Sequence, residues 1–133
     1  MISILLVDDS RFMRMWLTRL LSQANYHVIG EAENGESAVH KFKVLRPSII
    51  IMDINMPQMD GLTALEKINS IDPSAKIIMC SSIGQQSHII ESIKRGAKDF
   101  IVKPYFSNLI PIIENIISAD LKPHQANGGL DKG

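Results

Sequence analysis

Short apolar runs alternate with segments of helical periodicity five times along this chain. Runs of apolar and β-branched residues predict strands over Ile2–Val7, His27–Ala32, Ser48–Met52, Ala75–Ser81 and Lys98–Val102. After each run, apolar residues recur at the spacing of one helical face, which predicts five helices. Five strands alternating with five helices indicate a single α/β domain, a doubly wound (βα)5 fold with a parallel sheet covered on both faces.

Two of the predicted helices carry features that affect later sections. The first is predicted over Arg11–Ala24, and we interpret Trp16 on its apolar stripe as a core residue. The last has apolar residues at helical spacing from Leu109 onward, with Pro111 inside the stripe. Because proline lacks a backbone N–H, we expect this helix to begin near Leu109, or to have a loose first turn.

Length and composition fit one compact domain over residues 1–120. Residues 121–133 are rich in Gly and polar side chains, which predicts a flexible tail or the start of a linker. The formal net charge is zero, so the chain as a whole lacks the basic footprint of a nucleic-acid-binding protein. No apolar run approaches the roughly 20 residues of a membrane helix, and the one cysteine fits a reducing compartment, so we expect a cytoplasmic protein.

Polar and charged residues follow the predicted strands at their carboxyl ends, where ligands gather in open parallel α/β sheets. Strand one is followed by Asp8 and Asp9, and strand three by Asp53. Strand four ends at Ser81, and Lys103 follows strand five. Three converging carboxylates repel one another, and a hard divalent cation such as Mg²⁺ or Mn²⁺ with oxygen ligands relieves that repulsion.

The same residue set predicts phosphoryl chemistry on Asp53. A carboxylate can attack phosphorus to form an aspartyl phosphate, while a metal ion and the Lys103 ammonium neutralise charge on the equatorial oxygens. The Ser81 hydroxyl is placed to donate to one of those oxygens. Pro104 restrains the backbone beside Lys103, and the bond between them is a candidate for the cis form.

Four segments of the chain closely resemble the receiver domains of bacterial two-component response regulators. The resemblance covers roughly residues 2 to 119, and within it Asp8–Arg14 and Cys80–Gln86 look most like single-domain chemotaxis regulators of the CheY type. The strand order 2-1-3-4-5, for which CheY is itself a standard example, is carried over from this resemblance. The four segments are Ile4–Ser10, Met52–Gly61, Ile77–Ser81 and Gly96–Pro104.

The resemblance implies a role for each candidate residue. Asp53 matches the phosphoacceptor, Ser81 and Phe100 match the switch pair, and Lys103 matches the family's lysine. Asp53 also matches a direct metal ligand, together with Asp9 and the backbone carbonyl of Asn55, whereas Asp8 acts through water. Mg²⁺ is the implied cofactor.

The resemblance also implies partners. A sensor histidine kinase supplies the phosphoryl group, and a downstream protein or output domain reads the face formed by helix four, strand five and helix five. No direct nucleic-acid or membrane binding is implied. The domain takes part in its own phosphorylation and dephosphorylation but is a signalling protein and not an enzyme of metabolism.

Two alternatives remain open at this point. The chain could be a receiver detached from a longer regulator whose missing output domain binds DNA or performs catalysis. It could also be a phosphatase of the haloacid dehalogenase type, which likewise uses an aspartyl nucleophile and Mg²⁺. Such enzymes place a second aspartate two positions after the nucleophile, whereas Asp8 and Asp9 are adjacent, and 133 residues leave no room for a cap domain.

Overall fold

The computed structural model describes residues 2–83 and 85–121. Five strands and five helices alternate as the sequence predicts, and a short 3₁₀ turn, Phe106–Asn108, precedes the last helix. The strands are β1 (Ser3–Val7), β2 (His27–Ala32), β3 (Ile49–Asp53), β4 (Ile77–Ser81) and β5 (Asp99–Val102). The helices are α1 (Arg11–Gln23), α2 (Gly35–Leu45), α3 (Gly61–Ile71), α4 (Gln86–Lys94) and α5 (Leu109–Leu121).

The five strands form one parallel sheet in the order β2-β1-β3-β4-β5, so the expected fold class and strand order are confirmed. Strand β1 lies between β2 and β3, so the chain passes to one side of β1 to form β2 and to the other side to form β3. Strand order therefore reverses between β1 and β3, and this reversal opens a crevice beyond their carboxyl ends.

Two apolar layers cover the two faces of the sheet. Because side chains alternate along a strand, β1 sends Leu5 and Val7 to one layer and Ile4 and Leu6 to the other. Helices α2 and α3 complete the first layer, and α1 and α5 complete the second. The sheet is thus buried on both sides, which leaves its carboxyl edge as the place where polar groups collect.

The two helices with special features behave differently from each other. Helix α5 begins at Leu109, as expected, and Pro111 lies in its first turn, where a backbone N–H has no intrahelical acceptor. The interpretation of Trp16 as a core residue is wrong: it is 40% exposed, because α1 buries the stripe through Leu17 and Leu21. Trp16 instead packs edge-on against Phe106, with ring centroids 5.4 Å apart.

Two expectations concern the ends and the environment of the chain. The tail expected over residues 121–133 lies outside the described residues, apart from Leu121 at the end of α5. Within residues 2–83 and 85–121, no helix is both long and apolar enough to cross a membrane.

Candidate functional site

Three carboxylates meet in the crevice between β1 and β3. Oxygen atoms of Asp8, Asp9 and Asp53 all lie within 4.8 Å of one another. Asp8 and Asp53 are almost fully buried, whereas Asp9 is exposed at the mouth of the crevice. The fold therefore brings together the acidic residues that the sequence places after two separate strands.

Backbone hydrogen bonds fix the turn that carries the first two carboxylates. The Asp8 N–H donates to the carbonyl of Ala32 at 3.0 Å, which continues the pairing of β1 with β2. The Ser10 N–H donates to Asp8 Oδ1 at 2.8 Å, and the Ser10 hydroxyl accepts from the Met13 N–H as the N-cap of α1. The turn is therefore anchored to both β2 and α1.

Asp53 is held by an equally tight arrangement at the end of β3. The Ile54 N–H donates to the carbonyl of Cys80, and the Gly61 N–H donates to the carbonyl of Ile54 at 2.7 Å. A Cβ atom at position 61 would lie 2.1 Å from the Asp53 carbonyl oxygen. Gly61 is thus needed for the close approach of α3 to the strand end that presents Asp53.

Lys103 bridges the two buried carboxylates. Its Nζ lies 2.7 Å from Asp8 Oδ2 and 3.3 Å from Asp53 Oδ2. Its backbone N–H donates to the carbonyl of Ser81 at 2.8 Å, and the Lys103–Pro104 peptide bond is cis. The sequence anticipated the approach to Asp53, and the structure adds the shorter contact to Asp8.

Burial dominates the electrostatics of this site. Desolvation raises the pKa of Asp53 to about 6, assisted by the negative charges of Asp8 and Asp9 and opposed by Lys103. Desolvation tends to lower the pKa of Lys103, but its hydrogen bond to Asp8 and the charge of Asp53 raise that pKa above the ordinary value. The Lys103 ammonium is therefore charged at neutral pH, where Asp53 is largely a carboxylate.

The remaining predicted residues surround this centre. Ser81 is fully buried, and its hydroxyl donates to the carbonyl of Ser82 at 3.2 Å, with the carbonyl of Gln85 at 3.5 Å as a second, more distant acceptor for the same hydrogen. Asn55 is exposed, and its side-chain amide donates to Gln85 Oε1 at 3.1 Å. Phe100 is half-buried on β5, beside a groove of about 430 Å³ that extends along α5.

Sequence reasoning missed one residue that contacts the acidic turn. Arg14 Nη1 donates to the carbonyl of Asp8 at 2.6 Å, and Arg14 Nε donates to Glu31 Oε1 at 2.7 Å. The available signal was a basic residue one turn into the predicted first helix. That signal does not identify an acceptor, because the acceptor depends on how α1 lies against β1 and β2.

The donor set is suited to a divalent cation. Both Asp8 oxygens already have partners, Oδ1 with the Ser10 N–H and Oδ2 with Lys103. Asp9 and Asp53 lie beside it with oxygen atoms of the kind that Mg²⁺ prefers. Desolvation raises the pKa of Asp53 even with Lys103 beside it, so Lys103 alone does not offset the cost of burying this carboxylate. The cluster could therefore hold a metal ion.

Comparison with known proteins agrees with this architecture. The family model for the response regulator receiver domain matches residues 4–114. The chemotaxis protein CheY of Thermotoga maritima is 57% identical over 102 residues, covering 77% of this chain and 85% of the relative. CheY of Bacillus subtilis is 55% identical over 102 residues, with the same shares covered.

Solved structures give the same result. The CheX–CheY–BeF3–Mg²⁺ complex from Borrelia burgdorferi has a TM-score of 0.80 at 35% identity, covering 91% of this chain and 90% of that one. The response regulator domain of Thermotoga maritima CheB has a TM-score of 0.78 at 38% identity, covering 92% and 98%. This chain belongs to the family of response regulator receiver domains and is a phosphorylation-dependent signalling switch of the chemotaxis type.

Proposed function

We propose that Asp53 is the phosphoacceptor of this switch and that a sensor histidine kinase supplies the phosphoryl group. The observation that carries this proposal is a buried carboxylate held 3.3 Å from an ammonium group and beside two further carboxylates. In the reaction, an Asp53 carboxylate oxygen forms a bond to phosphorus while the bond between phosphorus and the donor imidazole nitrogen breaks. The electron pair of that bond stays on the imidazole.

Asp9, Asp53 and the backbone carbonyl of Asn55 would hold Mg²⁺ or Mn²⁺ directly, and Asp8 would act through water. The occupied oxygens of Asp8 support this division of roles. The similar CheY complex from Borrelia burgdorferi contains Mg²⁺ together with BeF3. A bound metal ion supplies positive charge next to the phosphoryl oxygens.

Lys103 and Ser81 act on the phosphoryl group in different ways. The Lys103 ammonium already lies between two carboxylates, so it can pair with a phosphoryl oxygen without a large movement. The Ser81 hydroxyl hydrogen points to the loop carbonyls of Ser82 and Gln85 instead of toward Asp53. It must therefore reorient to donate to the phosphoryl group, and this reorientation is the first step of the switch.

The second step of the switch involves Phe100. Ser81 and Phe100 lie on adjacent paired strands, so a reoriented Ser81 would vacate space that the Phe100 ring fills by rotating inward. The phosphorylated form would favour the inward rotamer and change the face formed by α4, β5 and α5. A downstream protein target would read that face, and the chain's own chemistry would be limited to acquiring and losing the phosphoryl group.

Intact-mass measurement after treatment with acetyl phosphate and Mg²⁺ tests the acceptor. The wild-type chain should gain the mass of one phosphoryl group, and Asp53→Asn should gain none. Asp60→Asn is the matched control, because Asp60 is an exposed N-cap of α3 and asparagine caps a helix equally well. A phosphorylated Asp53→Asn protein would refute the assignment.

The switch is tested separately with Ser81→Ala. This variant should still take up the phosphoryl group, but amide chemical shifts on α4 and β5 should respond much less than in the wild type. A full wild-type response in Ser81→Ala would exclude the serine as the coupling residue while leaving Asp53 as the acceptor.

A further inference from the structure

Arg14 occupies an unusual place for a charged residue on a surface helix. Its side chain is only 12% exposed, although α1 presents Phe12, Met15 and Trp16 to solvent. The guanidinium reaches back past the N-terminus of its own helix, to the peptide that joins the two aspartates after β1. A long, charged side chain is rarely buried unless it is paired, so this position calls for an explanation.

The two side-chain hydrogen bonds of Arg14 connect three elements. Nη1 donates to the carbonyl of Asp8 at 2.6 Å, and Nε donates to Glu31 Oε1 at 2.7 Å near the end of β2. The fork geometry of a guanidinium allows both bonds in one plane. The end of β1, the start of α1 and the end of β2 are therefore joined through one side chain.

The carbonyl that Arg14 holds belongs to the peptide bond between Asp8 and Asp9. Fixing this carbonyl fixes the plane of the Asp8–Asp9 peptide. Together with the Ser10 N–H bond that holds the following peptide, it sets the direction in which the Asp9 side chain leaves the backbone. The neighbouring hydrogen bonds, from the Asp8 N–H to Ala32 and from the Ser10 N–H to Asp8 Oδ1, hold the peptides on either side of this one. The Asp8–Asp9 peptide itself is held by Arg14.

We propose that Arg14 is a positioning residue for the cation site, one that orients the Asp8–Asp9 peptide so that the Asp9 carboxylate faces Asp53. The inference rests on the proposed metal-binding function. Arg14 binds neither the metal ion nor the phosphoryl group in this assignment. Its effect passes through the backbone, and Glu31 holds the guanidinium in place.

The test is the binding of Mn²⁺ alone, measured as the loss of the free-ion electron paramagnetic resonance signal. Loss of a group that orients a metal ligand typically weakens metal binding by roughly 10–100-fold, and we expect a change within this range for Arg14→Ala. Alanine favours the helix, and urea unfolding would verify that the variant is folded. Unchanged Mn²⁺ affinity in folded Arg14→Ala would overturn the proposal.

The conservative variant separates orientation from charge. Arg14→Lys keeps the positive charge but cannot donate two bonds in a fixed fork, so it should recover only part of the lost affinity. Complete recovery in Arg14→Lys would show that charge alone matters and would also overturn the proposal. Arg95→Ala is the matched control. Arg95 forms a similar pair, with its Nε 2.8 Å from Glu91 Oε2, but this pair is remote from the acidic turn. Its Mn²⁺ affinity should equal that of the wild type.

Phosphorylation by acetyl phosphate distinguishes this inference from the proposed function. Arg14→Ala should require at least about tenfold more Mg²⁺ than the wild type to reach its half-maximal rate of phosphorylation. At saturating Mg²⁺ its rate should approach that of the wild type. If the wild-type chain neither binds Mn²⁺ nor becomes phosphorylated, the proposed function fails. If the wild type does both and Arg14→Ala shows the same Mg²⁺ dependence, the role of Arg14 alone fails.

Discussion

Two clusters in this molecule each place one cation against two carboxylates, and they differ mainly in burial. In the crevice, Lys103 lies 2.7 Å from Asp8 and 3.3 Å from Asp53. On the surface, Arg95 lies 2.8 Å from Glu91 and 3.9 Å from Glu66. The side chains of the crevice cluster are 4–16% exposed, whereas those of the surface cluster are 30–63% exposed.

The comparison shows that burial, and not the number of charges, gives the crevice its chemistry. Desolvation raises the pKa of Asp53 to about 6 although an ammonium lies beside it. Water and counter-ions screen the surface cluster, so its charges interact weakly. Because Lys103 does not fully offset the desolvation of Asp53, this carboxylate can be stabilised further by a bound cation or by chemical modification that changes its charge. A switch needs a group that responds in this way.

Removal of Lys103 should give the largest effect on stability. In metal-free protein at pH 8, Lys103→Met leaves two buried carboxylates facing each other and should lower the free energy of unfolding by roughly 2–4 kcal/mol. The pKa of Asp53 should rise above about 6, because Lys103 opposes the effect of burial. Urea unfolding at pH 8 and pH 5 measures the loss of stability and how that loss depends on the protonation of Asp53. The loss should shrink at pH 5, where Asp53 is protonated, and an equal loss at both pH values would contradict this account.

Replacing Asp53 should have a smaller effect of the opposite sign. The pKa of Asp53 is about 6 in the folded chain and about 3.8 when unperturbed, so the folded state binds the proton more tightly. Stability therefore falls as pH rises from about 4 to about 6, and ionised Asp53 costs about 3 kcal/mol at most above that window. Asp53→Asn should raise the free energy of unfolding by about 1–3 kcal/mol at pH 7.5 in EDTA. The gain should vanish near pH 4, and a gain independent of pH would be inconsistent with the raised pKa.

Magnesium should give the next largest effect. At a Mg²⁺ concentration ten times the dissociation constant, binding to the folded chain should stabilise it by about 1.4 kcal/mol. The ligands must be deprotonated, so this stabilisation should fade as pH falls through about 6. Thermal unfolding with and without MgCl2 at pH 7.5 and pH 5 tests this. The same Mg²⁺ effect in Asp53→Asn as in the wild type would argue against Asp53 as a ligand.

Disruption of the surface cluster should have the smallest effect. Arg95→Ala removes an i, i+4 pair on α4 and a longer contact to α3, both at exposed positions. We expect a urea midpoint close to that of the wild type, with any difference reduced further in 0.5 M NaCl because exposed charges are screened there. A salt-insensitive loss comparable to that of Lys103→Met would remove the contrast between the two clusters.

The sequence predicted the fold because its signals are local and repeated. The strands are short apolar runs, of which β2 is the weakest, and apolar stripes mark the helices, so the type of each element and the order of the elements along the chain follow from periodicity. One boundary differs from the prediction: β4 begins at Ile77 and not at Ala75, because the Ala75 N–H closes a turn by donating to the carbonyl of Asp72. Turn bonds of this kind do not alter the apolar pattern.

The candidate site was only partly accessible to sequence reasoning. That Asp8, Asp9, Asp53 and Lys103 should approach one another follows from the rule that parallel strands end at a common edge. Solvent exposure of Trp16 and burial of Arg14 did not follow, because both depend on the angle at which α1 packs on the sheet. The apolar stripe of a helix identifies the residues that can be buried. It does not show which of these residues the neighbouring elements cover.

The sequence by itself determined the order of strands and helices and the identity of the charged groups at the strand ends. Only the tertiary structure decided which carboxylate oxygens Lys103 contacts, where the Ser81 hydroxyl donates and what Arg14 holds. The physical reason is the distance along the chain over which each effect acts. Periodicity and capping act over one or two helical turns. Desolvation and ion pairing depend on distances between residues that are far apart in the chain, and those distances are set only when the sheet and its helices pack together.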